Sequence, residues 1–115
     1  MNINLLISEK TRHIIRMIVN GEYDEVVELT NGIRLPKEEI VYAISDYGFS
    51  LVNPPEVAYE CLDVVEITNS SHREWSVRMP LWTIEEGRSD LSIEFTMIEV
   101  IGKWLRVELD NISIL

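Results

Sequence analysis

The chain has 115 residues, of which 46% are hydrophobic and 26% charged, and this composition is that of one folded domain rather than a disordered segment. Its 20 acidic residues outnumber 10 basic residues and give a net charge of −10, which argues against a nucleic-acid-binding protein because phosphates need a basic surface. Since no apolar run approaches the roughly 18 residues that span a membrane, no membrane contact is expected, and the predicted compartment is the cytoplasm.

Three helices are predicted in the first half of the chain. The first starts at Ser8, a good N-cap, and continues with apolar residues at helical spacing until Gly21. The second covers Tyr23–Thr30. The third starts at Pro36, which fits the first position of a helix, and ends at Gly48, a residue that readily adopts the left-handed conformation at a helix C-terminus.

Four strands are predicted in the second half, after Asn53, Pro54 and Pro55 interrupt regular structure. Alternating apolar residues place these strands at about residues 62–68, 75–79, 91–97 and 105–109, with turns at 69–71 and 102–103. In the last strand the alternation changes phase. This change predicts a β-bulge near Asp110 and Asn111, because a slip of one residue would otherwise turn every later side chain to the opposite face.

Helices followed by antiparallel strands predict an α+β fold, in which the N-terminal helices pack on a curved four-stranded antiparallel sheet. The whole chain, residues 1–115, is interpreted as one domain with a helical half at about 8–48 and a β half at about 62–115. The connection at 53–55 is too short, and its flanks are too apolar, for a flexible linker.

The sequence contains no pattern typical of metal, nucleotide or nucleophilic chemistry. Neither of the two histidines, His13 and His72, stands at a zinc-ligand spacing from the single cysteine, Cys61, and the five glycines form no phosphate-binding loop. We therefore expect no cofactor, no metal and no enzymatic activity. Because no cation flanks Cys61 to activate its thiol, a buried or half-buried position is predicted for it.

An internal pocket between the sheet and the helices is the alternative, which would make the protein an enzyme or a small-molecule-binding protein. Asp46 with Tyr47, or Asp63 with Tyr42, could supply a general base and an orienting hydroxyl in such a pocket. These residues also have an ordinary interpretation, in which the acids are solvated and the tyrosines line the rim of the core.

The most distinctive acidic cluster lies between two predicted strands and contains Glu85, Glu86 and Asp90. Gly87 suits the positive φ of a hairpin loop, and Arg88 is expected to pair with one of the three acids. Two interpretations stay open at this point. The cluster is either a rigid turn or a surface that meets a cationic partner protein.

A second acidic cluster lies in the second predicted helix, where Glu25 and Glu28 share a face and no basic residue occurs at positions 21–32. Like charges on one helix face repel unless a cation meets them, so this face is either solvated or a binding surface. Trp82 and Trp104 lie near predicted strand ends. They are candidate apolar anchors of an interface, because aromatic residues dominate binding hot spots, and packing against the core is the alternative.

Several stretches of the second half carry a resemblance to known proteins. They are LDVVE at 62–66, WSV at 75–77, PLWTIEEGRSDL at 80–91 and RVELDNI at 106–112. They resemble a family of small bacterial domains of unknown function, and the stretch at 80–91 is the specific part. That family has no assigned activity, so the resemblance implies no catalytic residue. The order of the elements is also similar to the nuclear-transport-factor-like (cystatin-like) cone, which hosts enzymes, carriers and binding modules alike.

These observations favour a small acidic protein that binds another protein. The most concrete hypothesis is an immunity protein, which neutralises a bacterial toxin domain, for example a basic nuclease, by direct binding. Its predicted partner-binding residues are Glu85, Glu86, Asp90, Trp82, Glu25 and Glu28. The alternatives are a pocket-based function and a structural subunit of a larger assembly, and the sequence does not specify the oligomeric state.

Overall fold

A computed structural model of the chain describes residues 2–32, 34–68, 71–100 and 104–114. These residues form, in order, α1 (Ile3–Val19), α2 (Tyr23–Thr30), α3 (Lys37–Tyr47), β1 (Leu51–Val52), α4 (Glu56–Glu60), β2 (Asp63–Ile67), β3 (Glu74–Thr83), β4 (Gly87–Val100) and β5 (Trp104–Ile114). The fold is α+β with the helices before most of the sheet, as predicted. The turn predicted at 102–103 and most of the turn predicted at 69–71 lie outside the described residues.

Helix α1 begins earlier than its sequence pattern indicated. Its N-cap is Asn2, whose Oδ1 accepts a hydrogen bond from the backbone N–H of Leu5 at 3.2 Å, and the predicted cap Ser8 lies within the helix. The first turn was missed because Asn4 and Leu5 are exposed and Ile3 and Leu6 are only half-buried, so this turn shows no continuous apolar face. Further along, Ile14 and Ile18 are buried as predicted.

The next two helices end where glycine and asparagine permit a left-handed residue. Helix α2 is followed by Asn31 at φ 61°, and α3 is followed by Gly48 at φ 84°, as predicted for Gly48. The short helix α4 was not predicted. It follows Pro55, whose fixed φ suits the residue that starts a helix, so the Pro54-Pro55 pair introduces a helical turn as well as a break.

The sheet is antiparallel and has β3 and β4 at its centre. Strand β4 pairs with β3 on one side and with β5 on the other. The outer side of β3 pairs with β2 along Glu74–Arg78 and with β1 at Trp82–Thr83. The described sheet therefore has five strands rather than the predicted four, because β1 has only two residues and is too short to show an alternation.

The bulge predicted in the last strand is present. Glu94 pairs with Asn111 and Phe95 pairs with Leu109, so Asp110 is the extra residue of β5. This insertion restores the inward face for Ile112, which is buried, as the change of phase in the sequence predicted.

The core lies between the helices and one face of the sheet. The inward positions of β3, β4 and β5 alternate, and the side chains on them form one cluster with the buried isoleucines of α1, Val26 of α2 and Ile40 of α3. The central sheet residues are Trp75, Val77, Met79, Leu81, Leu91, Ile93, Phe95, Met97, Leu105, Val107 and Leu109. Trp75 is thus a core residue, as expected. None of the helices in the described part of the chain is long and apolar enough to cross a membrane.

Candidate functional site

The acidic cluster at residues 85–90 lies on the hairpin that joins β3 to β4. Thr83 and Gly87 are the last paired residues, so the loop between them has three residues, and Gly87 has φ 74°. A three-residue hairpin loop followed by a left-handed glycine is a common solution because it matches the twist of the strands. The predicted role of Gly87 therefore agrees with the structure.

Glu86 is held by hydroxyl groups of two other residues. Its Oε1 accepts hydrogen bonds from the hydroxyl of Tyr47 at 2.7 Å and from the hydroxyl of Thr83 at 3.3 Å. The backbone N–H of Glu86 in turn donates to Oγ1 of Thr83 at 3.0 Å. Because Thr83 is buried and Tyr47 ends α3, these bonds join the hairpin loop to the last turn of that helix.

Tyr47 also satisfies a backbone group of the neighbouring bulge. Between β3 and β4, Pro80 pairs with Ser92 and Trp82 pairs with Arg88, so β4 carries extra residues at this point. The N–H of Asp90, one of these extra residues, donates to the Tyr47 hydroxyl at 3.2 Å. The Tyr47 hydroxyl donates onward to Glu86, and this hydrogen bond, together with desolvation, raises the pKa of Tyr47 above 10.0.

Ser89 supports the same bulge from inside the sheet. Its hydroxyl donates to the carbonyl oxygen of Leu81 at 2.7 Å and accepts from the N–H of Leu91 at 3.2 Å. The side chain therefore replaces backbone hydrogen bonds that the irregular register removes. Sequence reasoning assigned no role to Ser89, because a bulge with this register is visible only once the strands are paired.

Glu85 attaches the segment between α3 and β1 to the hairpin. Its Oε1 accepts a hydrogen bond from the backbone N–H of Ser50 at 2.9 Å, and the N–H of Ile84 donates to the carbonyl oxygen of Ser50 at 2.9 Å. The bond from Ser50 holds the pKa of Glu85 below its ordinary value of 4.5. Both hairpin glutamates thus use one oxygen to hold the turn, and both remain exposed.

Replacing Tyr47 with phenylalanine tests this network. The variant leaves the Asp90 N–H without its acceptor and Glu86 without one donor, so we expect a lower melting temperature and faster hydrogen exchange at the Asp90 amide. Tyr42→Phe is the matched control, since Tyr42 lies on the same helix and its side chain is 70% exposed. Equal exchange rates at Asp90 in the two variants would show that the Tyr47 hydroxyl does not hold the bulge.

Acid should remove the contribution of Glu85. Because its folded-state pKa lies below 4.5, the carboxylate stabilises the fold above that value, and this stabilisation is lost as the pH falls through the folded-state pKa. We expect Glu85→Gln to melt at a lower temperature than the wild type at pH 7, and the difference to shrink as the pH falls below 4.5. Thermal melts from pH 7 to pH 3 measure it. A difference that stays constant with pH would contradict the role of the charge.

The predicted pairing of Arg88 is not found in the described part of the chain. The basic side chains that form ion pairs there are Arg12, Arg34, Lys37, Arg73, Arg78 and Arg106. Arg88 is exposed on β4 and pairs only through its backbone register with Trp82. The carboxylates of Glu85 and Glu86 are therefore held by hydroxyl and backbone amide donors, and no arginine among the described residues forms an ion pair with them.

The tryptophans differ in accessibility. Trp82 is half-buried, and a Cβ added to Gly87 would lie 3.8 Å from its ring, so the ring packs beside the hairpin turn. Trp104 is 53% exposed at the start of β5. Trp82 therefore supports the turn and stays partly accessible. Trp104 is exposed enough to anchor an interface, but it pairs with Val100, at the end of β4 that is far from the hairpin acids.

The second acidic cluster lies on the outer face of α2. Glu25 and Glu28 are both exposed, and neither forms an ion pair within the described residues. Their neighbour Asp24 pairs with Lys37, the first residue of α3, at 2.9 Å. This contact places α2 beside the start of α3, whereas Tyr47 places the hairpin beside its end. At ~1.5 Å per residue, Lys37 and Tyr47 are about 15 Å apart along α3, and each contacts the segment that carries one of the two acidic clusters.

A groove of about 640 Å³ lies between α3 and the end of β5. Asp46, Tyr47 and Tyr42 line it, whereas Asp63 lies in a separate cleft with Cys61. The predicted pair Asp46–Tyr47 is therefore brought together, but Tyr42 and Asp63 are not.

Cys61 is exposed, so the prediction of a buried or half-buried thiol was wrong: α4 leaves it on the surface. No group of three or more metal-binding side chains occurs among the described residues.

The comparisons with known proteins identify a family. Residues 15–115 match the family described as Domain of unknown function (DUF7668). The chain belongs to this family. The matched part of this DUF7668 protein begins inside α1 and contains the whole sheet together with the hairpin at 85–90. The expectation of a small domain family without assigned activity is confirmed, and the likeness to the nuclear-transport-factor-like cone stays a prediction. Neither the curated proteins nor the solved structures compared with the chain include a match.

Proposed function

We propose that this DUF7668 protein acts by binding another protein, and that it is an immunity protein which neutralises a bacterial toxin domain. The observation that carries the proposal is the arrangement of acids along α3. Glu38, Glu39 and Asp46 are exposed on this helix, between the segments that carry the two clusters, and Lys37 at its first residue pairs with Asp24. The two clusters and these three acids, here called the acidic strip, give this side of the protein an excess of negative charge, which attracts a basic protein surface and speeds its association.

The acids in this strip have different roles in the proposed complex. Glu25, Glu28 and Asp90 are exposed and outside any ion pair in the described part of the chain, so their carboxylates are available to lysine or arginine of a partner. Glu85 and Glu86 hold the hairpin through Oε1, and they would meet a partner only while keeping those bonds. Trp82 contributes the apolar side of the same hairpin.

Capture of the partner from the native host tests the proposal. The partner is identified by mass spectrometry, purified, and mixed with the protein at known ratios. We expect a 1:1 complex that abolishes the toxicity or nuclease activity of the partner and dissociates more readily as salt rises. A partner that binds without losing its toxic activity would overturn the immunity role. A complex unaffected by salt would overturn the acidic interface.

The second candidate is a small-molecule-binding protein or enzyme that uses the groove beside α3. Its support is that Asp46 and Tyr47 lie together in that groove. We rank it second because the Tyr47 hydroxyl already donates to Glu86 and accepts from the Asp90 N–H, so its hydrogen-bonding capacity serves the hairpin. Catalysis or tight binding of a metabolite that is lost in Asp46→Asn would reverse this order.

A further inference from the structure

The groove beside α3 is lined by the end of β5, an edge strand of the described sheet. Its β5 wall consists of four consecutive residues, 111–114, whose side chains alternate between the two faces of the strand. Because these four residues face both sides of the strand, the groove reaches the backbone of β5, and it also reaches Leu91 of β4, which pairs with Ile114. In the described sheet β5 pairs with β4 alone, so its outer edge has no strand partner.

The opposite wall is the exposed side of α3. The floor between the walls is apolar and includes Leu35, Leu91 and Ile112, all buried. Each wall adds one exposed apolar side chain, Tyr42 at 70% on the helix and Ile114 at 62% on the strand. A helix facing an unpaired strand edge across an apolar floor is the geometry in which an extended peptide adds to a sheet and places alternate side chains in pockets.

The charge of the groove indicates what kind of segment fits it. The charged residues that line it are Glu39 and Asp46, both acidic and both on the α3 wall. A second copy of this chain, with its net charge of −10, would bring like charges together at this edge. We infer that the groove binds an extended basic segment of a partner protein, which adds to the sheet as a strand along β5 while its lysine or arginine side chains meet Glu39 and Asp46.

This inference rests on the proposed function, since it names the site and the part of the partner that occupies it. The length of the wall sets the length of the segment. Four residues of β5 span about 13 Å at ~3.3 Å per residue, so a six-residue segment covers the wall with one residue over at each end. The basic side chains of such a segment would point towards α3, with their methylene stems against Tyr42 and their charged ends at Glu39 and Asp46. The side chains that alternate with them would point to the opposite face of the added strand.

The probe is a six-residue peptide of alternating lysine and valine, acetylated and amidated at its ends. We expect it to shift the NMR signals of Asn111, Ser113 and Ala43, and a glutamate–valine peptide of the same length not to bind. A strand added to a sheet edge donates hydrogen bonds to it from every second backbone amide, so either the lysine or the valine amides of the peptide make these bonds. N-methylation of the amides of that residue type should weaken binding at least ~tenfold, and N-methylation of the other type should not. Equal binding of both methylated peptides, or shifts elsewhere, would overturn strand addition.

Charge is tested with a matched pair of variants. Glu39→Gln with Asp46→Asn should weaken peptide binding about fivefold at low salt, because two exposed ion pairs are lost. Glu9→Gln with Glu60→Gln removes the same charge from exposed positions on α1 and α4 and should leave binding unchanged. Equal losses in the two variants would show that only net charge attracts the peptide, and would overturn the site.

Failure of this inference is distinguishable from failure of the proposed function. If the captured partner forms its inhibitory complex, binds the groove variant as well as the wild type and loses affinity for Glu28→Lys with Asp90→Lys, the groove inference alone is wrong. If the basic peptide adds along β5 but no captured partner loses its activity, the immunity role alone is wrong.

Discussion

Replacing Phe95 with alanine should lower the free energy of unfolding by about 3–5 kcal/mol, the usual cost of deleting a buried aromatic ring. Phe95 has no exposed surface and lies on β4, the strand that pairs on both sides. Its position also borders the bulge, since it pairs with Leu109 across the residue inserted at Asp110. Loss of the ring would therefore leave a cavity at the junction of three strands, where the sheet has little freedom to collapse.

Urea unfolding measures this loss, and two further variants control it. Val65→Ala removes an apolar side chain that is 57% exposed on β2, so its expected cost is below ~1 kcal/mol. Phe95→Leu keeps most of the volume and should fold even if the alanine variant does not, with an intermediate loss. Equal stability of Phe95→Ala and Val65→Ala would contradict the assigned core.

The alternation that places Phe95 inward shows how much of the fold was predictable. Side chains at every second position of β3, β4 and β5 were assigned to the core from the sequence alone, and the change of phase after Leu109 revealed the bulge at Asp110. The reason is physical: one buried sheet face imposes a period of two on the sequence, and a single inserted residue leaves a visible shift. The two-residue strand β1 has no period and was missed.

The candidate site was predictable only in part. Gly87 was assigned to the hairpin because glycine tolerates positive φ, and this holds. The partners of the hairpin acids were not predictable, because Tyr47 and Ser50 lie 39 and 35 residues from the glutamates they contact. Arg88 was the nearest cation in sequence and was expected to pair, but its strand position turns it towards solvent. The groove was not predicted because it forms only when α3 packs beside β5, and no local sequence pattern indicates that packing.

Charge reversal at both ends of α3 should have the largest effect on partner binding. We expect Glu28→Lys with Asp90→Lys to weaken the complex roughly 30-fold, because two attractive contacts become repulsive. Most of the loss should appear as slower association at low salt. Both residues are exposed and outside ion pairs in the part of the chain that the structure describes, so the melting temperature should change little.

The matched control reverses two exposed acids elsewhere. Glu9→Lys with Glu60→Lys changes the net charge by the same amount on α1 and α4. Affinity, measured by isothermal titration against the captured partner, should fall far less in this control. Equal losses would mean that net charge alone attracts the partner and that the two clusters beside α3 are not its binding surface.

The central claim is that the acidic strip along α3 binds a basic protein, and the association rate constant of the captured partner tests it most directly. Stopped-flow measurements from 20 mM to about 500 mM salt cover the range over which the Debye length shrinks from tens of ångströms to a few. We expect a basic partner whose association slows by roughly an order of magnitude or more across this range. An acidic or neutral partner, or an association rate that does not change with salt, would contradict it.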